Sequence, residues 1–461
     1  MNLFDSAYNL LPGKKALKNI AWALPSQFFY GRTFWNYYNF LKKSQWWSKK
    51  QLRQYQLTKL QKLIYYSYKN VPYYREIFKK NAIVPDKIKS LTDIERIPLL
   101  TKEIIRNRFN DLLSNDYLKM APIKRTTGGS TGKRLEIMSS FNQGQLRKAV
   151  VWRYRNWAGY SFNERGLTFN LPHRSPAGKN LIYENVKEKQ INFNIDIFNE
   201  EILKQIVSKI VSFKPKVIEC YPSRLFILYK YLKKNSIIMP SLKIAVTTSE
   251  MLYSEIREMI EQELNIQIFD YYGQIEFCCN AGQCPEKTYH VADEVCILEI
   301  IDKAGQRVKN GEIGEICGTS LDNYIMPLIR YKTEDLGIIN MESCSCGRGL
   351  NILKNIVGRT QNIIVSPNGT MSFPARYFNI QLLKGIKDMQ IIQEDIQSLK
   401  VVLVADQDFT DTTKSELIAM LRKNLNYPFE VQIELVDHIK RAVSDKHLLV
   451  ISKIAQYSTH A

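Results

Sequence analysis

The chain has 461 residues, 45% of them apolar and 24% charged, with 21 Gly and 16 Pro. That is a globular composition, long enough for two or three domains, and it excludes a disulfide-stapled miniature, a collagen-like chain or a mainly disordered one. Lys and Arg outnumber Asp and Glu by 65 to 45, a formal charge of +20, and no apolar run approaches the roughly 20 residues of a spanning helix.

At the start, Lys14, Lys15 and Lys18 precede Ile20-Ala21-Trp22-Ala23-Leu24. Pro25 and Gln27 end that apolar segment and no clear cleavage site follows, so no secretory signal is predicted. Eight Cys are too sparse for a disulfide framework, and their clustering predicts reduced thiols in a cytoplasmic protein. Residues 1–100 hold 18 Lys/Arg against 5 Asp/Glu, and 20 of the 52 aromatic residues, in runs such as Phe28-Phe29-Tyr30, Phe34-Trp35, Trp46-Trp47 and Tyr65-Tyr66. A basic aromatic stretch fits a nucleic acid or an anionic membrane surface. The simpler expectation is helices packed through their aromatics and solvated by their lysines.

Leu52, Tyr55, Leu60, Leu63 and Ile64 give residues 49–82 a helical pattern, interrupted at Val71-Pro72-Tyr73-Tyr74. From about residue 122, strands alternate with helices: 135–138 then 142–157, 216–220 then 222–234, 242–247 then 251–264. The alternation predicts an α/β layer with parallel strands. Gly305, Gly311, Gly314 and Gly318 punctuate residues 291–340 and predict an antiparallel β subdomain with strands at 295–301 and 315–318. After Gly358 come a loop at Ser366-Pro367-Asn368-Gly369, strands at 389–393, 400–405 and 431–436, and a helix at 411–425, enough for a small α+β domain.

The sharpest local signal is Lys124-Arg125-Thr126-Thr127-Gly128-Gly129-Ser130-Thr131-Gly132-Lys133. Consecutive Gly, Ser and Thr let backbone N–H groups and hydroxyls converge on phosphate oxygens, and the flanking cations complement the charge. The segment does not fit GxxxxGK[ST] and should lead into a strand, which argues against a P-loop fold. Alone it reads equally well as a Gly-rich hairpin turn. Downstream stand Asp270-Tyr271-Tyr272-Gly273-Gln274-Ile275-Glu276, then Met326-Pro327-Leu328-Ile329-Arg330-Tyr331-Lys332-Thr333-Glu334-Asp335, then Gly358-Arg359-Thr360-Gln361-Asn362, and finally Lys446.

In that order and spacing the segments resemble the adenylate-forming superfamily of acyl-CoA synthetases, nonribosomal peptide synthetase adenylation domains and luciferases. The nearest likeness is to its phenylacetate–CoA ligase-like branch, which includes relatives serving capsular polysaccharide biosynthesis. Val71-Pro72-Tyr73-Tyr74-Arg75 and Pro327-Leu328-Ile329-Arg330-Tyr331 carry the branch-specific part. The resemblance implies a large multi-layer N-terminal domain with β subdomains at 1–357, its first 100 residues basic, aromatic and helical, and a small mobile α+β lid at 358–461.

It also implies a two-step reaction. A carboxylate attacks the α-phosphate of MgATP to give an acyl-adenylate and pyrophosphate, and a nucleophile then takes the acyl group. CoA is the default acceptor. A sugar amine or hydroxyl of a polysaccharide precursor is the alternative, and the basic, aromatic N-terminus would suit such work beside the inner face of a membrane holding lipid-linked sugars. By correspondence, Thr126, Thr127, Gly128, Gly129, Ser130, Thr131 and Gly132 would hold the β- and γ-phosphates, with Lys133 adding charge. Tyr272, next to Gly273, would pack on adenine, Glu276 would ligate Mg²⁺, and Asp335 with Arg359 would take the ribose. Lys446 would bridge carboxylate and α-phosphate. Taken singly, these residues read as a core aromatic, a solvated acid, a turn former and surface cations. The sequence departs from the family pattern at Ile275 for a Thr, at Glu334 for a Gly, at Gln361-Asn362 for acidic hinge residues, and at Asp445 where Gly precedes the Lys.

Cys284 and His290, with Cys344 and Cys346 about fifty residues later, could close a tetrahedral Cys₃His structural zinc site. Cys278 and Cys279 are close enough to replace Cys284, whereas Cys220, Cys296 and Cys317 lie in strand-like runs and read as core. His173 lies in a polar loop, lining an acyl pocket or simply exposed. No Ser-His-Asp or HExxH arrangement suggests a hydrolase. A basic binding protein without catalysis, acting on nucleic acid or anionic lipid, is the reading from a different class; no specific nucleic acid is expected of the enzyme. A homodimer is left open.

Overall fold

The computed structural model describes residues 22–127, 135–170, 181–195, 200–340, 342–359, 364–368, 371–372, 383–439 and 448–454. Its first elements are α1 (Arg32–Ser44), α2 (Lys49–Asn70), α3 (Pro72–Lys80), α4 (Lys102–Asn107), β1 (Pro122–Thr126), β2 (Glu136–Ser140) and α5 (Phe141–Trp157). Next come β3 (Gly166–Asn170), β4 (Ile182–Asn185), β5 (Gln190–Asn194), α6 (Glu200–Phe213), β6 (Val217–Cys220), α7 (Pro222–Lys234), β7 (Ile244–Thr248), α8 (Ser254–Leu264) and β8 (Gln267–Gly273). They are followed by β9 (Asn280–Gln283), β10 (Tyr289–Val291), β11 (Cys296–Ile301), β12 (Ile313–Ser320), β13 (Tyr331–Asn340) and β14 (Ile352–Arg359). The last are β15 (Ile364–Val365), β16 (Met371–Ser372), β17 (Ile386–Gln393), β18 (Ser398–Ala405), α9 (Asp411–Leu425), β19 (Glu430–Leu435) and β20 (Val450–Ser452). No described helix is long and apolar enough to cross a membrane.

Two compact units organise these elements. The first holds Met1–Leu52, Ser140–Glu294 and Ser343–Leu350. Its strands run in the order β10-β9-β8-β7-β6-β3-β5-β4. Parallel pairing joins β5, β3, β6, β7 and β8, and antiparallel pairing adds β9, β10 and β4 at the margins. The alternation read from the sequence is present from β5 to β8, where β5, β6 and β7, such as the buried Val217–Cys220, each return through a helix. The strand expected at 135–138 is instead β2, which pairs with β1 in a separate two-stranded sheet.

Helix α5 begins at a Ser140 cap whose side chain accepts from the Gln143 N–H at 3.0 Å. Its Trp152 stacks on Phe162 at 4.1 Å between centroids and donates its indole N–H to the Tyr30 hydroxyl at 2.7 Å. Phe34 and Tyr38 of α1 close the same cluster. The aromatics here serve packing, as the simpler expectation held, although Phe28 remains 75% exposed.

Arg153 of α5 is buried with Glu294, its NH1 2.7 Å from Oε1, and Ser44 donates to the same oxygen at 2.6 Å. Truncating one partner leaves the other charge buried and unpaired, so Arg153→Met is expected to cost about 3–5 kcal/mol in denaturant unfolding. Arg153→Met with Glu294→Gln should recover part of that loss.

The second unit holds Arg53–Ser139, Val295–Glu342 and Asn351–Ala461. Strands β11, β12, β13 and β14 pair antiparallel in that order, which is the expected β subdomain. The helical run starting at residue 49 breaks where predicted: Val71 is extended, and Pro72 opens α3, where a missing N–H costs nothing. Tyr74 of α3, fully buried, donates its hydroxyl to the Pro327 carbonyl at 2.9 Å and accepts the Ile329 N–H at 3.1 Å. The two branch-specific segments thus bind each other. Arg330 follows in the left-handed region (φ +52°), its guanidinium donating to the carbonyls of Glu95, Ile97 and Gly305 and pairing with Glu299. Toward the C-terminus a four-stranded sheet, β19-β18-β17-β20, carries α9, which ends at Asn426 in a left-handed cap.

Candidate functional site

The glycine-rich segment is described as far as Thr127, and from Leu135 onward. Gly128, Gly129, Ser130, Thr131, Gly132 and Lys133 lie outside the described residues, as do His173, Gln361, Asn362, Asp445 and Lys446. Thr126 ends β1, and the Thr127 N–H donates to the Leu135 carbonyl at 2.8 Å while the Leu135 N–H donates to Thr127 Oγ1 at 3.0 Å. These two bonds join Thr127 to Leu135, and β2 follows at Glu136. In the same unit Asn323 Nδ2 donates to the Met138 carbonyl at 3.0 Å, joining β2 to the segment that runs into β13.

Asp335 lies in β13, 8% exposed, directly opposite Arg359 at the end of β14. Antiparallel pairing thus brings to one register position two residues 24 apart in sequence. The Asp335 N–H donates to Thr333 Oγ1 at 3.1 Å, and that hydroxyl donates to the Ile316 carbonyl at 2.7 Å.

In the first unit Tyr272 and Gly273 end β8, and Glu276, 5% exposed, sits in the turn toward β9. Tyr272 accepts a hydrogen bond from Gln274 Nε2 at 2.5 Å. Arg147 of α5 donates to the carbonyls of Gln274 at 2.9 Å and Ile275 at 2.5 Å, and its guanidinium lies over the Phe277 ring. Sequence reading passed over Arg147, because nothing local marks a cation that serves a turn 127 residues away. Arg147→Met is expected to slow the adenylating half-reaction about tenfold by loosening that turn, read as pyrophosphate exchange.

The second constellation lies wholly in the first unit. One ligand atom from each of Cys284, His290, Cys344 and Cys346 falls within 4.8 Å of the others. Cys284 Sγ is 3.8 Å from Cys344 Sγ, and Cys346 Sγ is 3.2 Å from His290 Nε2. Cys284 follows β9 and His290 is the central residue of β10, so one hairpin supplies both. Cys278 and Cys279, buried before β9, are not members. Cys220, Cys296 and Cys317 are buried in strands, and none of the eight cysteines is in a disulfide.

Burial pushes the His290 imidazole down to about 4, aided by the Arg348 and Arg153 guanidiniums and opposed by a hydrogen bond at the Leu350 backbone. Burial pushes the Cys284 thiol up to about 12. For Cys344 burial acts upward too, but hydrogen bonds from Thr288, Cys346 and Cys284 outweigh it and the net is downward.

The loop bearing Cys344 and Cys346 is seated on the segment after α1. Gly349 donates its N–H to the Gln45 carbonyl at 3.3 Å, and a methyl on Gly349 would overlap the Trp47 carbonyl. Arg348 lies over both Trp46 and Trp157, and Gln45 Oε1 accepts from Trp157 Nε1 at 2.7 Å.

A family model described as the CapK C-terminal domain matches residues 373–453. Phenylacetate-coenzyme A ligase of Thermus thermophilus is 25% identical over 325 residues, which are 69% of this chain and 72% of that protein. Protein CapK of Staphylococcus aureus is 23% identical over 414 residues, 85% of this chain and 87% of that one. A crystal structure of 2-hydroxyisobutyryl-CoA ligase in the postadenylation state, in complex with 2-HIB-AMP, matches the fold with a TM-score of 0.71 at 17% identity, covering 88% of this chain and 90% of that one.

The chain is a homologue of the phenylacetate-coenzyme A ligases and of CapK. Its fold is that of the adenylate-forming CoA ligases, with a C-terminal domain. Glu334, where the resemblance implies a Gly, has a φ of +66°, a conformation that glycine adopts without steric cost. Glu334 reaches it with the Lys102 ammonium 2.5 Å from its carboxylate.

Proposed function

We propose that this chain is an ATP-dependent carboxylate ligase that forms an acyl-adenylate and passes the acyl group to CoA. The observation that carries the reading is the homology to phenylacetate-coenzyme A ligases over 325 residues. A carboxylate oxygen attacks the α-phosphorus, the bond to the β-phosphate breaks and pyrophosphate leaves. The thiol sulfur of CoA then attacks the acyl carbonyl, loses its proton, and AMP departs. The obstacle in the first step is an anion approaching an anion, so preorganised cations and N–H donors matter most.

In this reading Thr126, Thr127 and residues 128–133 hold the phosphates, Tyr272 packs on adenine, Asp335 and Arg359 hold the ribose, and Lys446 approaches the reacting carboxylate. Glu276 is a hard oxygen donor suited to Mg²⁺, which when bound neutralises phosphate charge. ATP–pyrophosphate exchange across aryl, fatty and hydroxy acids tests the reading. At least one acid should support exchange, and silence across the panel with salt-sensitive binding to DNA or anionic vesicles would sink it.

The likeness to CapK over 85% of this chain and to the CapK C-terminal domain fits the second reading that the family resemblance implies, in which the acceptor is a sugar amine or hydroxyl of a surface-polysaccharide precursor. Acyl transfer from preformed adenylate to CoA or to an amino sugar separates the two.

Cys284, His290, Cys344 and Cys346 are assigned a structural zinc ion. A tetrahedral ion with Zn–S near 2.3 Å sets sulfurs about 3.8 Å apart, the spacing of Cys284 and Cys344. The depressed His290 supplies a neutral imidazole. Metal analysis of the purified protein should find about one zinc per chain; less than half an equivalent would remove the assignment.

A further inference from the structure

We propose that Lys102 is a positioning residue for the nucleotide ribose, acting through Glu334 on Asp335. The proposal rests on the reading above in which Asp335 takes the ribose hydroxyls. Glu334 immediately precedes Asp335 and stands at φ +66°, a region that side chains other than Gly, Asn and Asp enter at a steric cost. Something must hold it there. The Lys102 Nζ lies 2.5 Å from Glu334 Oε2, and the Glu334 N–H donates to Glu315 Oε1 at 3.1 Å. Glu315 in turn pairs through its other oxygen with Lys332 at 3.0 Å. Two carboxylates and two ammoniums thus fix the peptide on the N-terminal side of Asp335.

The backbone delivers Lys102 to this position. The Leu100 N–H donates to the Arg330 carbonyl at 2.9 Å and the Lys332 N–H donates to the Leu100 carbonyl at 2.9 Å, a parallel bridge that lays residues 100–102 beside the start of β13. Thr101 then caps α4, its side chain accepting the Ile104 N–H at 3.2 Å. Lys102 is 18% exposed and Glu334 43% exposed at their side chains, so the pair is partly screened and its effect is moderate. Because the left-handed turn at Glu334 sets the direction of the next peptide, loss of the ion pair frees the Asp335 backbone to shift. A glycine would hold the same turn without help, and this is where the family pattern has one.

Lys102→Met is expected to raise KM for ATP about three- to fivefold, with kcat within about twofold, and to shrink the preference for ATP over 3′-deoxy-ATP. Lys102→Arg should restore both. In a Glu334→Gly background Lys102→Met should have no further effect. An equal penalty in the two backgrounds, or a fall in kcat with unchanged KM and unchanged sugar discrimination, overturns the proposal. Should Lys102→Met not fold, Lys102→Gln carries the same comparison. Calorimetric titration with AMP separates the levels: wild type that binds no AMP overturns the nucleotide reading and this proposal with it. Wild type that binds AMP while Lys102→Met binds it equally well overturns the proposal alone.

Discussion

Glu276→Gln and Asp335→Ala are each expected to lower ATP–pyrophosphate exchange by about 100-fold or more, with melting temperatures close to wild type. Glu276→Gln keeps the shape of a side chain that is 5% exposed in a turn stapled by Arg147, so the main change is one negative charge offered to a metal. A hard divalent cation binds a neutral amide far less well than a carboxylate, and raising the Mg²⁺ concentration should recover part of the rate. Asp335→Ala acts differently, removing an acceptor for two hydroxyls, so its loss should appear largely as KM for ATP and should be smaller with 3′-deoxy-ATP. Exchange within twofold of wild type for both variants would place the nucleotide elsewhere and leave these two acids as ordinary buried carboxylates.

The parts of the fold that were legible in the sequence are those where one short period decides the structure. Val217–Cys220 followed by Pro222–Lys234 is a buried strand running into a proline-started helix, and both signals are local. The break at Val71-Pro72 was legible for the same reason. The proposed metal donors were legible as a set: spacing put Cys284 first with Cys278 and Cys279 as substitutes, and the β9–β10 register, which sets Gln283 opposite Tyr289, brings Cys284 and not those two to His290.

Contacts between residues far apart in sequence were not legible. Arg147 serves a turn at Gln274 and Ile275, and Arg348 stacks on Trp46 and Trp157; each reads in the sequence as a solvated cation. Glu334 was legible only as a departure. Glutamate is no left-handed former, so the conformation it holds, and the lysine 232 residues earlier that supports it, emerge only from the packing of residues 100–102 along β13.

If the four residues hold zinc as proposed, chelation or Cys346→Ser is expected to release it and to destabilise the unit that contains it by about 3 kcal/mol or more, measured as a lower thermal midpoint. The loss should exceed that of an ordinary surface change because the ion replaces several weak contacts at once. Cys284 and His290 come from one hairpin, Cys344 and Cys346 from a loop seated on Gln45 and Trp47. Without the ion, Cys284 and Cys344 remain neighbours at 3.8 Å with no bond between them, and the buried thiol and imidazole lose their ligand role. The readout need not rely on activity. Arg348 lies between the half-exposed Trp46 and the buried Trp157, so freeing the loop should shift tryptophan emission to longer wavelength, and zinc should reverse the shift. Cys278→Ala, altering a buried cysteine outside the donor set, should keep the metal and the emission. Chelated protein with the wild-type midpoint and an unshifted spectrum would reduce the four residues to a cluster of buried thiols beside a neutral histidine.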